Sequence, residues 1–589
     1  ASLAVTLALP LLPEAFLGLL RRTGPIGTRL VLLQVALCVV VQLPATLVLG
    51  ALFPLLTRLV AAAGARAGLA PRRGLLPHTP GCAAGACALA APALALPLGA
   101  PTIAGLEQTM AQPRYANSTW GVSVVDATTG ENLYSRNANE MFVPGSVVKS
   151  FSVATTLASY DYDRYRFRTP VYRRGPVTKG VVKDLVLVGS GDFSFGTRET
   201  PQGTLAYNAA DHNEANALGL ATLLPYNPLR VLDKLARQVR ASGINEVSGD
   251  VAIDDRLWKA YDGWPDGQIG AIWVNENLID VTTTPTTPGQ KATIDWRPKT
   301  PAYRVVSNVV TSPKGTPTNL SVTKIRDGVL RISGRIPAGG GKAVRNYLVD
   351  DPPAFARSAF IQSLQKAGVK VDAPATGANP TSVLPAERSY PASTRLAQHV
   401  SPPLAQYAQV VLKVSYNRGA DLMVCLSALK AGSRDCPDGI AHGTKVLGRL
   451  GVPMADQVFL FDGASSDDHD RFTPNAATAL NRAIAAQPFG QLFRSSLPNL
   501  GVSGDLAIFG ADSPAKGKLQ AKTGTRAATS ASGQTLTLQR GLSGYLTSST
   551  GRQLLVTIFA NDFPISGIDD LFAAVNDQVA MVNTIYLGS

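Results

Sequence analysis

The sequence predicts an α/β protein of the α+β kind. An antiparallel sheet is drawn from both halves of the chain, covered by helices, and interrupted by a mostly β insert. Three observations predict it. A strand, a tight turn and a second strand near residue 120 lead straight into a buried helix. A second strand pair and a closing helix stand at the far end of the chain. Between them lies a long stretch of short strands and turns without any catalytic pattern.

Residues 1–105 come first and differ from the rest. Leu30 to Thr57 carries no charge and is long enough to span a bilayer, although Pro44 and Pro54 weaken it as a regular helix. A second apolar run at 83–105 follows Pro71-Arg72-Arg73 and offers the small residues Ala90-Ala91-Pro92-Ala93 for cleavage, the pattern of a signal peptide. The region is expected to export the chain, with membrane association through residues 30–57. A second reading makes part of 1–70 a mis-called start, absent from the mature protein.

The folded part begins at about 106. Trp120-Gly121-Val122-Ser123-Val124-Val125-Asp126 alternates as a strand, Thr128-Thr129-Gly130-Glu131 is a turn, and Asn132 to Arg136 pairs back. A helix then runs from Pro144-Gly145 to about Tyr160, with Val147, Val148, Phe151, Val153 and Leu157 suited to a core. Residues 106–182 form the first half of one domain. Residues 183–395 form the insert, with helices at about 228–242 and 353–367 and an all-β part near 285–345. The second half, 396–589, opens with a helix over Leu404 to Lys413. It ends with a strand around Lys522, a hairpin about Ser549-Thr550-Gly551, and a helix at about 567–586 that turns Ile568, Leu571, Ala574, Val575, Val579, Val582 and Ile585 inward.

Three short motifs carry chemistry. In Ser146-Val147-Val148-Lys149, residues three apart share a helix face, so the Lys149 amine reaches the Ser146 hydroxyl. A serine at a helix N-terminus with an amine beside it has the parts of an activated nucleophile, and a neutral lysine in an apolar pocket can take its proton. Ser415-Tyr416-Asn417 offers a hydroxyl to pass a proton and an amide to bind a peptide backbone. Lys522-Thr523-Gly524-Thr525, on a strand, offers a cation and hydroxyls, with a glycine that lets substrate lie along the strand edge. Each pattern alone arises by chance; the three in this order match the active-serine penicillin-recognising set.

Composition narrows the rest. The net charge of +14 comes without a dense basic run or interleaved aromatics, so an anionic polymer or surface fits better than nucleic-acid reading. There is no Cys-x-x-Cys, no His-Glu-x-x-His and only five His; no metal and no cofactor is called for. Cys425 and Cys436 are a disulfide candidate in an exported protein and two free thiols in a cytosolic one. Nothing in the sequence specifies an oligomeric state.

The motifs resemble a known family. The gap from Ser146 to Ser415 is more than twice that from Ser415 to Lys522. A long first gap is similar to that of D-alanyl-D-alanine carboxypeptidase/endopeptidases of the penicillin-binding protein 4 type. Leu187-Val188-Gly189-Ser190-Gly191-Asp192, Gly249-Asp250-Val251 with Asp254-Asp255, Phe461-Asp462-Gly463-Ala464-Ser465 and Ser543-Gly544-Tyr545 add to the resemblance, which covers about 106–589. Tyr416 departs from the usual Asp or Asn, and Gly463-Ala464-Ser465 from Gly-Ser-Gly.

The resemblance implies a β-lactamase/transpeptidase-like domain and an acyl-enzyme on Ser146, with Lys149 as base. It implies backbone N–H groups of Ser146 and Thr525 around the oxyanion, Ser415 relaying a proton, Asn417 orienting substrate, and Lys522, Thr523 and Thr525 binding a terminal carboxylate. Peptidoglycan stem peptides are the implied substrate, and β-lactam antibiotics the covalent inhibitors. Asp266, after Gly263-Trp264-Pro265, is the candidate receiver of a stem-peptide amine; a solvated loop aspartate is the equal alternative. A β-lactamase or esterase on the same fold, and a catalytically silent envelope scaffold, stand as the other readings.

Overall fold

The computed structural model describes residues 103, 105–217, 219–262, 267–466 and 469–589. The export-like stretches up to residue 102, and Asp266 with its Gly-Trp-Pro turn, lie outside the described residues. Among the described residues no helix is long and apolar enough to cross a membrane.

Thr119–Asp126 (β1) and Asn132–Arg136 (β2) form the expected antiparallel pair. The Asp126 carboxylate holds the turn by accepting the N–H groups of Thr128 and Thr129, both at 2.8 Å. Lys149–Ser159 (α1) follows, preceded by a single 3-10 turn at Gly145–Val148. Next in order are Arg166–Arg174 (β3), the insert, Arg395–Pro403 (β4), Leu404–Lys413 (α2), Asn417–Lys430 (α3) and Pro474–Ala485 (α4). Leu519–Thr529 (β5), Thr535–Thr547 (β6), Gln553–Asn561 (β7) and Ile568–Gly588 (α5) close the chain.

The main sheet runs β2–β1–β7–β6–β5, antiparallel throughout. β1 lies directly beside β7, with Val122 opposite Ile558, so both ends of the folded chain share one sheet. Because side chains alternate across a strand, each face has its own cover. Trp120, Val122 and Val124 pack with Ile558 and with Met581, Val582 and Ile585 of α5. On the opposite face Ser123 donates to the Asn475 side chain of α4 at 2.9 Å. Phe142, Phe151, Phe472 and Phe559 fill that side, with ring centroids 4.8 to 6.0 Å apart. A side chain at Gly121 would meet the Phe142 ring at 2.4 Å, so only glycine lets the ring sit there.

α5 departs from its expected inward face at one end. Ala574, Val575, Met581, Val582 and Ile585 are buried, but Ile568 is 41 % exposed. The first turn of the helix hangs over the cleft described below instead of over the sheet.

The stretch 183–395 leaves and rejoins the rest of the chain through one smaller sheet. β3, before it, pairs antiparallel with β4, after it, and then with Asp184–Val188, which runs parallel to Val251–Asp254. The stretch near 285–345 is β as expected, including the hairpin of Asn319–Arg326 with Val329–Pro337. The two expected helices span Arg230–Ala241 and Pro352–Lys366. Gly189-Ser190-Gly191-Asp192 is an irregular stretch rather than a tight turn: Gly191 takes φ +83°, and the Gly189 and Gly191 N–H groups donate to the Asp254 and Ala271 carbonyls at 2.9 and 2.7 Å. Cys425 of α3 and Cys436 are joined in a disulfide.

Candidate active site

The nucleophile turn is set by Pro144-Gly145. Gly145 takes φ +52°, a region open to glycine, and the chain tightens through a 3-10 turn into α1. Ser146 and Lys149 fall on one face, and the Lys149 Nζ donates to the Ser146 Oγ. Lys149 is fully buried, and its amine also donates to the Ala464 carbonyl at 3.2 Å. Ser152, the next turn along, donates to the Gly463 carbonyl at 2.6 Å.

These carbonyls explain the 462–465 segment, to which the sequence assigned no role. Asp462 accepts the N–H of Ala464 at 2.7 Å and of Ser465 at 2.5 Å, and Asp421 accepts that of Gly463 at 3.0 Å. The loop is thereby bent so that its carbonyls face α1. A backbone acceptor has no side-chain signature, so the pattern was visible and its purpose was not.

Ser415 sits between α2 and α3 at φ +56°, a conformation disfavoured for a non-glycine residue. The kink turns its Oγ toward the Lys522 Nζ, which donates to it at 2.9 Å. Tyr416 points the other way. It is buried, edge-on to Phe193 at 5.0 Å, with the Arg198 guanidinium 5.5 Å from its ring. The substitution of a bulky tyrosine therefore alters the packing behind the turn. Asn417 is the half-buried first residue of α3.

Behind Tyr416 lies a buried ionic cluster from the insert. Arg198 forms a two-pronged pair with Asp211 at 2.8 Å and also donates to Glu276. His212 lies 3.0 Å from Asp280 and 3.3 Å from Glu276, and Arg297 reaches Asp280 at 3.2 Å. Burial alone would lower the His212 pKa; Asp280 and Glu276 overcome it and raise it to about 10. Arg418, next to Asn417, donates to the Glu276 carbonyl and stacks on Trp273 at 4.4 Å. The cluster thus ties the insert to the turn that carries Ser415 and Asn417.

The Lys-Thr-Gly stretch lies on β5 beside the nucleophile turn. A Cβ on Gly524 would fall 2.7 Å from the Pro144 carbonyl oxygen and 3.0 Å from the Ser146 nitrogen, while one on Gly145 would fall 3.1 Å from the Thr525 nitrogen. Two glycines let turn and strand meet backbone to backbone. Lys522 is fully buried and its ammonium also reaches the Thr523 carbonyl at 2.8 Å and Asp505 at 3.6 Å. Burial lowers its pKa, and Asp505 opposes the shift.

The structure adds two residues that sequence reasoning did not find. Asp505 accepts the Thr523 hydroxyl. Arg540, on β6, donates to Thr525 Oγ1 at 3.0 Å and to the Gly524 carbonyl at 3.1 Å. Neither belongs to a local pattern; β pairing alone brings Arg540 opposite Thr525. Ser146, Ser415, Asp505, Thr523, Thr525 and Arg540 line one cleft of about 330 Å³. Asp211, Glu214 and apolar residues of α5 complete its wall. Among the described residues no group of three or more His, Cys, Asp or Glu could hold a metal ion.

Two lysine–serine pairs facing one cleft can support acyl transfer. The chain is similar to known proteins. It is 28% identical over 509 residues to a D-alanyl-D-alanine carboxypeptidase of Actinomadura sp. (strain R39), covering 82% of this chain and 84% of the relative. Its fold is similar to the crystal structure of penicillin binding protein 4 from Haemophilus influenzae, at TM-score 0.61 and 18% identity, over 82% of this chain and 99% of the other. The same protein complexed with a β-lactam gives a TM-score of 0.59, with the same identity and coverage. Residues 102–583 match the profile of the D-Ala-D-Ala carboxypeptidase 3 (S13) family. The chain belongs to that family and is a serine-type peptidase.

Proposed function

We propose that the chain hydrolyses the bond after D-Ala in cell-wall stem peptides, either a terminal D-Ala-D-Ala or a cross-link, through an acyl-enzyme on Ser146. The observation that carries this is the pair of contacts around one cleft, Lys149 on Ser146 and Lys522 on Ser415. The Ser146 Oγ attacks the carbonyl carbon of the D-Ala, and Lys149 takes the hydroxyl proton. The oxyanion is received by the N–H groups of Ser146 and Thr525, each worth about 3–4 kcal/mol in sites of this kind. The C–N bond then breaks, and Ser415, held by Lys522, relays a proton to the leaving nitrogen. Asn417 orients the peptide. The edge formed by Lys522, Thr523, Gly524 and Thr525 receives the residue beyond the scissile bond. Water hydrolyses the ester and regenerates Ser146.

A β-lactam presents the same kind of carbonyl to Ser146 but releases no leaving group, so its adduct persists. Residues 106–182 and 396–589 act as the catalytic domain, and 183–395 as the insert. We place the working part outside the cytoplasm, delivered by the signal-like run at 83–105 with membrane association through 30–57. Asp266 is our candidate for binding a stem-peptide amine. The chemistry uses no metal or cofactor.

Mass spectrometry of peptides ending in D-Ala-D-Ala, incubated with the protein, tests the reading. Release of the last residue by the wild type, and none by Ser146→Ala or Lys149→Met, is the expected result. Release that survives Ser146→Ala overturns it.

A further inference from the structure

Asp505 stands in the cleft wall. It sits in the 3-10 turn Gly504–Leu506, where Gly504 takes φ +70° and a Cβ would lie 2.6 Å from the Lys413 carbonyl oxygen. Lys413 also fixes the neighbouring Ser503 hydroxyl at 2.9 Å. The turn therefore packs closely against Lys413 at the end of α2.

From there Asp505 reaches the Lys-Thr-Gly strand. Its Oδ2 takes the one hydroxyl proton of Thr523 and stands 3.6 Å from the Lys522 Nζ. Its Oδ1 is buried at the cleft without a hydrogen-bond partner. A buried acceptor of this kind calls for a donor, and a second carboxylate is the group it accommodates worst.

We propose that Asp505 determines specificity by filling, with the chain's own carboxylate, the Lys522–Thr523 corner that a free carboxylate on the leaving residue would occupy. The inference rests on the DD-peptidase reading above and names its substrate class. Favoured leaving groups have no free carboxylate on the carbon bearing the scissile nitrogen. An amidated residue qualifies, as does the side-chain amine of a lysine-type diamino acid in a cross-link, whose amine-bearing carbon carries no carboxylate. A terminal D-Ala carboxylate instead meets the Asp505 carboxylate, already seated beside Lys522, and a Thr523 hydroxyl already committed to it.

The test uses the full chain and two peptides identical up to D-Ala-D-Ala, one a free acid and one a C-terminal amide. Values of kcat/KM are read by mass spectrometry, with fluorescent penicillin labelling alongside. The wild type is expected to turn over the amide about tenfold faster than the acid. Asp505→Asn and Asp505→Thr are expected to raise turnover of the acid and erase that preference. A wild type that prefers the acid, with the ratio unmoved in both variants, overturns the proposal while penicillin labelling leaves the acyl-enzyme reading standing. Failure of both peptides and of labelling, in folded wild type, overturns that reading and this inference with it.

Discussion

Gly524→Ala tests how closely turn and strand are fitted. The added Cβ would lie 2.7 Å from the Pro144 carbonyl oxygen and 3.0 Å from both the Ser146 nitrogen and the Gln539 Oε1. Gln539 can swing aside, but the other two atoms are backbone. To reach an ordinary 3.4 Å contact the Pro144 oxygen must retreat by about 0.7 Å, carrying the nucleophile with it. Overpacking on this scale costs about 1–3 kcal/mol of stability. A displacement approaching 1 Å at a reacting atom costs on the order of a hundredfold in rate. Stopped-flow acylation by a chromogenic β-lactam, with thermal melting of the same samples, measures both. Gly567→Ala is the control, since its site has open space and φ 175°, and it should change neither. Wild-type acylation and an unchanged Tm in Gly524→Ala would refute the idea that this contact positions Ser146.

Three further outcomes are expected. Glu276→Gln leaves Arg198 and His212 short of a buried counter-charge and should cost about 3–5 kcal/mol in urea unfolding; a loss below 1 kcal/mol would mean that the cluster is not a brace. Cys425→Ser opens the link between positions 425 and 436, for which chain entropy predicts a loss of about 3 kcal/mol under oxidising conditions and none beside a reduced wild type. Burial lowers the Lys413 pKa to about 8, partly opposed by Asp505, against 10.5 for a free lysine. The folded state then releases this proton first, so stability should rise between about pH 8 and 10.5; the full gap is worth about 3 kcal/mol, which solvent screening cuts to ~2 kcal/mol. Lys413→Met should flatten that rise.

What could be read in the sequence was what short range encodes. Ser146 and Lys149 are three residues apart on one helical turn, so spacing alone placed amine on hydroxyl. The β1–β2 hairpin, the helix over Arg230–Ala241 and the β stretch near 285–345 followed from period and turn residues in the same way. The adjacency of Ser415 to Lys522 was reached through the family resemblance, because no local pattern joins residues 107 apart.

Asp505 and Arg540 were missed for that reason. A lone aspartate before a strand and an arginine inside one look like solvated charges until β pairing and the Gly504 turn bring them to Thr523 and Thr525. The Ala464 carbonyl was invisible because every residue has one. Ile568 was assigned to the core by its helical period, which continues past the point where the sheet beneath α5 gives way to the cleft.

The most direct test of the central claim is the mass of the adduct formed with penicillin. Full-length protein incubated with a fluorescent penicillin and then digested should carry one penicilloyl group on the peptide containing Ser146, stable over hours and absent from folded Ser146→Ala. An adduct on another residue, or none in protein whose circular dichroism shows it folded, would contradict the acyl-enzyme account.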